Sequence, residues 1–322
     1  MYVLVTGVTG FIGRHVAAAA LRAGHRVRGS LRDIGRADEV RATLPEGEVD
    51  VVTLDLMSDT GWDAALDGIE GLLHTASPVP TRTPDTDDEV LRPAIEGTMR
   101  AMEAAARAGT ERVVVTSSIA AVLGNPAKGP YDTYGAEDWT DPDLPGLRAY
   151  ARSKTLAERT ARELAERHGL HLATVNPGFV FGAPLGDKAT SSLTLIRRLV
   201  SGKDPMLPRL SFPSVDVEDV AEAHIAALKA ENGARIIASG ETLWMSEIAD
   251  IVREVVPSSR PARTVAPNWV VRLLSVVSPD LRLVSQGLGD CRKTDPSTCE
   301  ALLGRPLRDP REAIAEAARA LA

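Results

Sequence analysis

A tyrosine and a lysine stand four residues apart in the segment YARSK, as Tyr150 and Lys154. Residues at this spacing share one face of a helix, so the phenol and the ammonium would lie one turn apart. A neighbouring ammonium favours the phenolate and lowers the pKa of a tyrosine, which suits the phenol to proton transfer. The same spacing fits an exposed helix, because the residues that follow read TLAERTARELAERHG. The spacing alone leaves both interpretations open.

The elements that must position this pair alternate regularly along the first part of the chain. Short runs rich in Val, Ile and Leu are separated by helical segments such as RHVAAAALRAG, which ends on glycine. Strands that are apolar on both faces and separated by helices are typical of a parallel sheet with right-handed crossovers. We therefore predict an α/β fold with a doubly wound parallel sheet, whose strands lie at 2–6, 26–31, 49–54, 71–76, 112–117 and 170–175.

The alternation weakens after about residue 178, where Pro and Gly become frequent. We predict a dinucleotide-binding Rossmann domain over residues 1–180, to which 209–234 returns, and a smaller C-terminal substrate-binding domain over 181–322. Folds of this kind bind ligands at the carboxyl edge of the sheet. The smaller domain would therefore lie over that edge.

Three glycines follow the first predicted strand at three-residue spacing, in VTGVTGFIG. Glycine at this turn permits backbone angles that other residues avoid, and a missing side chain lets N–H groups approach a pyrophosphate. The amino end of the next helix favours the same negative charge. We predict a dinucleotide site that includes Gly7, Thr9, Gly10, Phe11, Ile12 and Gly13.

The end of the second strand, in SLRD, bears on the choice between NAD and NADP. Arg32 favours NADP, because a guanidinium suits the 2′-phosphate, whereas Asp33 favours NAD. We predict NADP (NADPH), with NAD as the less favoured cofactor, and expect Arg36 to be a second phosphate contact. The alternative is that Arg32 is only a solvated surface charge.

Two further strand ends contribute predicted cofactor contacts. In LDL, Asp55 and Leu56 would lie beside the adenine, although Asp55 fits a helix cap about equally well. The fourth strand ends in HTAS, where we interpret His74 as a packed strand residue. The small residues after it allow close approach to the cofactor, and we include Thr75, Ala76 and Ser77.

The composition argues against several classes of protein. A net charge of −7, without a block of Lys or Arg, gives no footprint for nucleic acid. Cys291 and Cys299 are too few for a disulfide framework and lack the spacing of a zinc site, so we predict no metal. We find no export signal and no apolar run near the ~18 residues that cross a bilayer. We therefore expect a cytoplasmic protein without nucleic-acid or membrane partners.

Several motifs occur together and carry a family resemblance. The chain contains, in order, TGVTGFIG, GLLHTASPVP, TERVVVTSSIAAV, EDWTDPD, YARSKTLAER and NPGFVFG. It resembles the extended short-chain dehydrogenase/reductases, and within them the dihydroflavonol reductase, cinnamoyl-CoA reductase and NADPH-dependent aldehyde reductase group. The likeness runs over about residues 2–182 and thins afterwards.

The resemblance implies roles for the residues at matching positions. The family's catalytic serine falls on Ser118, with Ser117 as the alternative, and its tyrosine and lysine fall on Tyr150 and Lys154. Tyr150 would protonate a carbonyl oxygen that Ser118 hydrogen-bonds, while Lys154 would lower the pKa of the phenol and hold the nicotinamide ribose.

The resemblance also bears on the cofactor. The family's NADP-type arginine matches Arg32, and Leu31 stands where NAD-using epimerases carry an acid. The segment NPGFV resembles the one that passes the nicotinamide, which implies cofactor contacts by Pro177 and Val180.

We therefore predict an enzyme, an NADPH-dependent reductase of a small aldehyde or ketone. The alternatives are an NAD-dependent sugar-nucleotide epimerase or dehydratase, and a non-catalytic NADP-binding regulator. We expect substrate selectivity in residues 79–88, in 119–148 and in the smaller domain. In many relatives the helices at 86–109 and 150–168 form a two-fold interface, so the resemblance leaves a homodimer open.

Overall fold

The computed structural model describes residues 1–77, 86–186, 190–276, 281 and 284–322. The strands are β1 (Tyr2–Thr6), β2 (Arg26–Leu31), β3 (Val49–Thr53), β4 (Gly71–His74), β5 (Arg112–Thr116), β6 (Thr133–Tyr134), β7 (His171–Pro177), β8 (Phe179–Phe181), β9 (Ser211–Asp216), β10 (Arg235–Ala238), β11 (Thr242–Trp244) and β12 (Lys293–Thr294). The helices are α1 (Phe11–Arg22), α2 (Ala37–Ala42), α3 (Trp62–Leu66), α4 (Asp88–Ala108), α5 (Ala149–His168), α6 (Ser191–Ser201), α7 (Val217–Ala227), α8 (Met245–Val255), α9 (Asn268–Leu274), α10 (Ser297–Leu303) and α11 (Pro310–Ala320). None of the helices in these ranges combines the length and apolar character needed to cross a bilayer.

Seven parallel strands form the central sheet, in the order β10-β7-β5-β4-β1-β2-β3. The strand order reverses between β1 and β4, as in a doubly wound sheet, so the predicted fold class is confirmed. All six strands predicted from the sequence are present. β4 ends two residues earlier than predicted, because the backbone turns there and the Ala76 N–H donates to Thr6 Oγ1.

Helices cover both faces of this sheet. Helices α1 and α7 pack over one face, and α3, α4 and α5 cover the other. Neighbouring residues of a strand point to opposite faces, so Val3 and Leu4 belong to different buried clusters. Burial on both faces explains why strands such as β1 and β5 are mostly apolar along their length.

A second, smaller sheet lies in the C-terminal half. Its order is β11-β9-β8, with β8 parallel and β11 antiparallel to β9. Leu193 of α6 and Ile248 of α8 belong to the same buried cluster as Val3 of the main sheet. The smaller lobe therefore shares a continuous core with one face of the central sheet.

The position of β10 corrects the division predicted from the sequence. That division returned only 209–234 to the first domain, but β10 (Arg235–Ala238) pairs with β7 and forms the edge of the central sheet. Conversely, β9 (Ser211–Asp216) pairs within the smaller sheet, while α7 packs against α1. A four-residue strand such as RIIA carries too little pattern for its partner to be read from the sequence.

Candidate active site

The glycine loop joins β1 to α1 at the carboxyl edge of the sheet. Gly7 has a φ of +69°, in the region that favours glycine, and its carbonyl accepts a hydrogen bond from the Gly10 N–H at 2.8 Å. A Cβ added at Gly13 would lie 2.4 Å from that carbonyl oxygen. Glycine at these positions therefore allows the first turn of α1 to close against the end of β1.

The amino end of α1 suits a negatively charged group. Gly10 is its N-cap, no side chain caps it, and its first turn contains no acidic residue. The helix dipole and the first N–H groups therefore favour an anion such as a pyrophosphate. Thr9 and Ile12 are partly buried, whereas the Phe11 ring is 7% exposed and packs edge-on against His15. Phe11 therefore leaves little of its surface exposed to a cofactor.

The end of β4 is tied to the glycine loop. Thr75 Oγ1 donates to the Thr6 carbonyl at 2.6 Å, and the Ala76 N–H donates to Thr6 Oγ1 at 3.1 Å. A Cβ on Gly7 would lie 2.9 Å from Ala76 Cβ. Ser77 follows and lines a small cavity beside Lys154. These predicted contact residues therefore form a wall next to the loop.

At the end of β2, the two residues that favoured different cofactors face different surroundings. Asp33 accepts a hydrogen bond from the Gly35 N–H at 3.0 Å and caps the short turn Ile34–Arg36. Arg32 is exposed and makes no hydrogen bond or ion pair with the residues that the structure describes. The local cap holds the Asp33 carboxylate, while the Arg32 guanidinium is available to a phosphate.

Arg36 already has a carboxylate partner. Its Nε and Nη2 donate to the two oxygens of Glu39 at 2.7 and 2.8 Å, and Arg14 Nη2 donates to the same carboxylate at 2.9 Å. These bonds hold the pKa of Glu39 at about 2. A 2′-phosphate contact by Arg36 stays a prediction, and Glu39 would compete with it.

The structure places Asp55 and Leu56 just beyond β3. Asp55 Oδ1 accepts from the Met57 N–H at 2.9 Å, which is a local turn rather than a helix cap, since α3 begins only at Trp62. Leu56 packs on α4, where a Cβ added at Gly97 would lie 3.3 Å from Leu56 Cβ. Their contact with an adenine remains a prediction.

Ser118, Tyr150 and Lys154 meet at the carboxyl end of β5. Tyr150 and Lys154 lie in the first two turns of α5, with Lys154 Nζ 6.0 Å from the centroid of the Tyr150 ring. Ser118 stands directly after β5, caps the turn Ile119–Ala121 and lies beside the Tyr150 phenol, close enough to lower its pKa. The structure therefore brings together all three predicted catalytic residues.

The neighbouring serine points elsewhere. Ser117 Oγ donates to Glu158 Oε2 at 2.5 Å and is buried. Adjacent residues in extended backbone point to opposite sides, which separates the two hydroxyls. Ser118, and not Ser117, therefore lies beside Tyr150.

Burial controls the protonation of the pair. It lowers the pKa of Lys154 to about 8, against the carboxylate of Glu158, which raises it. Burial also raises the pKa of Tyr150, although the Ser118 hydroxyl lowers it. The sequence predicted a lowered pKa for Tyr150, and this structure gives the opposite direction because desolvation of the phenolate outweighs its polar contacts. The phenol is therefore protonated at neutral pH.

His74 and the end of β7 complete the surroundings. His74 is 3% exposed, contacts Thr6 Oγ1 through Nδ1 at 3.0 Å and has its pKa lowered to about 4 by burial and by Lys154, as expected of a packed strand histidine. Pro177 ends β7 and Val180 lies in β8; both are buried. Their predicted cofactor contacts are not tested by these positions.

The segment 119–148, expected to select the substrate, contacts the C-terminal part of the chain. Tyr131 donates its hydroxyl to the Gly289 carbonyl at 3.1 Å, and Arg148 Nε donates to Gln286 Oε1 at 3.2 Å. The smaller lobe therefore contacts this segment next to the amino end of α5. Of the other segment expected to select the substrate, residues 79–85 lie outside the described residues.

Three buried residues near the site were missed by the sequence analysis. Glu158, Asn176 and Arg235 form one hydrogen-bonded group behind Ser117. The only sequence signal is the position of Glu158, four residues after Lys154, and nothing in the sequence indicates its partners.

Known proteins share both the sequence and the fold. The family model for the NAD dependent epimerase/dehydratase family matches residues 3–238. The chain is 34% identical over 266 residues to tetraketide alpha-pyrone reductase 2 of Arabidopsis thaliana, covering 79% of this chain and 83% of the relative. It is 33% identical over 261 residues to cinnamoyl-CoA reductase 1 of Oryza sativa subsp. japonica, covering 79% and 76%.

A solved structure supports the same grouping. Yeast methylglyoxal/isovaleraldehyde reductase Gre2, complexed with NADPH, aligns with a TM-score of 0.82 and 27% identity over 100% of this chain and 98% of that one. The family model and the relatives together cover the glycine loop, the three predicted catalytic residues and the sheet that positions them. The chain therefore belongs to the NAD dependent epimerase/dehydratase family, the extended short-chain dehydrogenase/reductases that its motifs resemble.

Proposed function

We propose that this chain is an NADPH-dependent reductase that transfers hydride to the carbonyl of a small aldehyde or ketone, with Tyr150 as the proton donor. The observation that carries the proposal is the meeting of Ser118, Tyr150 and Lys154 beside the glycine loop. The relatives named above are reductases, and the aligned yeast reductase binds NADPH.

The residues present fit this cofactor. A tight glycine loop, an uncapped helix end and an unpaired Arg32 provide for a pyrophosphate and for a 2′-phosphate. Leu31, at the strand end before Arg32, is 2% exposed and offers no carboxylate to a ribose diol. When bound, NADPH supplies the hydride that reduces the carbonyl carbon.

Tyr150 would act as the general acid. Its raised pKa keeps the proton on the phenol until the carbonyl oxygen gains negative charge. The oxygen then takes that proton, so one hydride and one proton convert the carbonyl to an alcohol. Ser118, which lies beside the phenol, would donate to the same oxygen and stabilise its developing charge.

Lys154 would stabilise what Tyr150 leaves behind. Its ammonium lies 6.0 Å from the phenol ring in a buried site, where a positive charge favours the phenolate after proton transfer. Its nitrogen makes one long contact with the Thr116 carbonyl, at 3.5 Å, so donors are left for a ribose.

The small size of the substrate is supported by the composition. The chain has only four Phe, four Tyr and four Trp, which is few for an aromatic-lined flavonoid slot. The aligned yeast protein is named for methylglyoxal and isovaleraldehyde, both small carbonyl compounds.

The test is NADPH consumption with a panel of aliphatic and aryl aldehydes, diketones, dihydroflavonols and acyl-CoA thioesters. We expect the small aldehydes and ketones to support turnover, and NADPH to be preferred to NADH. Absence of turnover across the panel, with NADPH still bound, would favour the alternative of a non-catalytic NADP-binding regulator.

A pair of tyrosine variants tests the proton donor. Tyr150→Phe should lower kcat by about 100- to 10 000-fold and leave NADPH affinity unchanged. Tyr2→Phe is the matched control, because Tyr2 begins β1 at the amino edge of the sheet, away from the site, and its hydroxyl donates to Asp50. Near-normal turnover by Tyr150→Phe would refute the role of the phenol.

A further inference from the structure

A buried carboxylate lies directly behind the catalytic pair. Glu158 follows Lys154 by four residues on α5, so the two side chains share one face of the helix. The Glu158 side chain is 0% exposed, and Lys154 is 6% exposed. A carboxylate that is buried this completely needs partners, because its desolvation is costly.

Those partners come from three strands of the sheet. Glu158 accepts from Ser117 Oγ after β5 at 2.5 Å, from Asn176 Nδ2 and Thr174 Oγ1 of β7 at 2.8 and 3.3 Å, and from Arg235 Nε of β10 at 2.7 Å. Asn176 Nδ2 also donates to the Ser118 carbonyl at 3.2 Å. The carboxylate therefore joins α5 to the strand ends that carry Ser118.

Arg235 extends this group to the segment expected to select the substrate. Its guanidinium donates to the carbonyls of Ala136 and Ala121 at 2.9 and 3.0 Å and lies 3.8 Å from the centroid of the Trp139 ring. These residues belong to the segment 119–148, which contacts the smaller lobe. The ion pair of Glu158 and Arg235 thus connects the catalytic helix with that segment.

We propose that Glu158 is a positioning residue for the reduction, which fixes α5 against β5 and β7 and keeps Lys154 cationic beside Tyr150. The inference rests on the proposed function for the role of Lys154. It adds a residue that acts through Lys154 and does not touch the reacting atoms.

Among the described groups around Lys154, Glu158 is the one whose negative charge raises the pKa of Lys154. His74 of β4 and His224 of α7, which bonds Thr116, both have pKa values lowered to about 4 and are neutral. Thr98 of α4 lines the same cavity and has no charge. Burial lowers the pKa of Lys154, and Glu158 opposes this.

Two cations lie next to the Glu158 carboxylate. Arg235 and Arg162 face the carboxylate, with Arg162 Nε at 3.6 Å, and Glu137 acts on Arg162. Neither arginine is among the groups that shift the pKa of Lys154. Removing the charge of Glu158 should therefore deprotonate Lys154 at lower pH.

The test separates charge from shape with three variants. Glu158→Gln removes the charge, Glu158→Asp keeps it on a shorter side chain, and Thr174→Val removes one neutral donor to the carboxylate. The readouts are NADPH affinity from pH 6 to about 10, the pH profile of kcat, and the free energy of unfolding. Affinity should fall at high pH as Lys154 loses its proton, and Lys154→Met should lack this fall.

We expect Glu158→Gln to move the fall in NADPH affinity to lower pH by about 1 to 2 units, for charges one turn apart. Glu158→Asp and Thr174→Val should lower stability and leave that pH where it is in the wild type. If Glu158 had a purely structural role, the pH at which NADPH affinity falls would instead shift in each variant according to its loss of stability. The proposal is overturned if NADPH affinity falls at the wild-type pH in Glu158→Gln, or if Glu158→Asp shifts that pH as much as Glu158→Gln does.

A second variant covers a failure of Glu158→Gln to fold. Glu158→Gln combined with Arg235→Gln removes both buried charges and leaves no unpaired cation. Its fall in affinity should also lie at lower pH than in the wild type, and a wild-type position overturns the proposal. Because NADPH binding is measured directly, the result stands apart from the substrate panel: loss of turnover alone contradicts the proposed function and leaves this readout intact.

Discussion

The charge of Lys154 should make the protein without cofactor less stable than a neutral side chain would. Lys154 is 6% exposed, and burial lowers its pKa from 10.5 to about 8. A pKa below that of the unfolded chain means that the folded state binds the proton less tightly. The fall of the pKa from 10.5 to about 8 corresponds to about 3 kcal/mol of unfolding free energy. The folded state bears this cost in full at and below neutral pH.

Lys154→Met should therefore raise the free energy of unfolding by about 1 to 3 kcal/mol near pH 7 and abolish turnover. Methionine fills a similar volume without a charge, and Glu158 keeps its bond with Arg235 at 2.7 Å. As the wild type loses the Lys154 proton, between the folded pKa of about 8 and the unfolded pKa of 10.5, its free energy of unfolding rises. The gap between variant and wild type should therefore shrink as the pH rises from about 8 to about 10.5.

Urea unfolding without cofactor, near pH 7 and near pH 10, measures the difference in unfolding free energy between Lys154→Met and the wild type at each pH. Lys229→Met is the matched control, because Lys229 is exposed and should show no gain at either pH. Equal stability of Lys154→Met and wild type near pH 7 refutes the penalty. A gap that does not change with pH shows that its source is not the proton on Lys154.

Three other predictions concern the cofactor site. Gly13→Ala should cost about 1 to 3 kcal/mol of unfolding free energy and weaken NADPH binding, because its Cβ would meet the Gly7 carbonyl at 2.4 Å; Gly129→Ala, whose Cβ would make only an ordinary contact at 3.5 Å from Asp132 Oδ2, should do neither in the same denaturation and binding assays. Arg32→Ala should weaken NADPH binding by about 10- to 150-fold and leave NADH binding unchanged in titrations, and an equal loss for both contradicts a phosphate contact. Glu39→Gln should strengthen NADPH binding relative to NADH, because it removes the negative charge that competes with a phosphate for Arg36; an unchanged ratio of the two dissociation constants argues against Arg36 as a phosphate ligand.

The sequence predicted the parts of the fold that repeat a strong pattern. Strands β1 and β5 are short runs dominated by Val and Leu, and their bounds agree with the prediction within one residue, as do those of β2. β10 was missed because the smaller lobe intervenes between it and β7, so its four residues follow no regular alternation. The homodimer and the cytoplasmic location stay predictions.

The site was predictable where spacing along one element determines geometry. Tyr150 and Lys154 share a helix face, and the glycines share one turn, so short-range rules suffice. Arg235 lies 77 residues from Glu158 and reaches it only because β10 joins the sheet beside β7. No local pattern encodes such a pair.

The direction in which the Tyr150 pKa shifts shows why the long-range contacts that the sequence did not predict matter. From the sequence, the Lys154 ammonium was expected to lower that pKa, but burial of both groups dominates in the folded chain. The same burial that raises the phenol pKa also works against the cation that must stabilise the phenolate. The carboxylate of Glu158, which is paired with Arg235, raises the pKa of Lys154 and so partly offsets that cost. The proposed proton transfer would therefore depend on a charge arrangement that extends across three strands and beyond the five-residue motif YARSK.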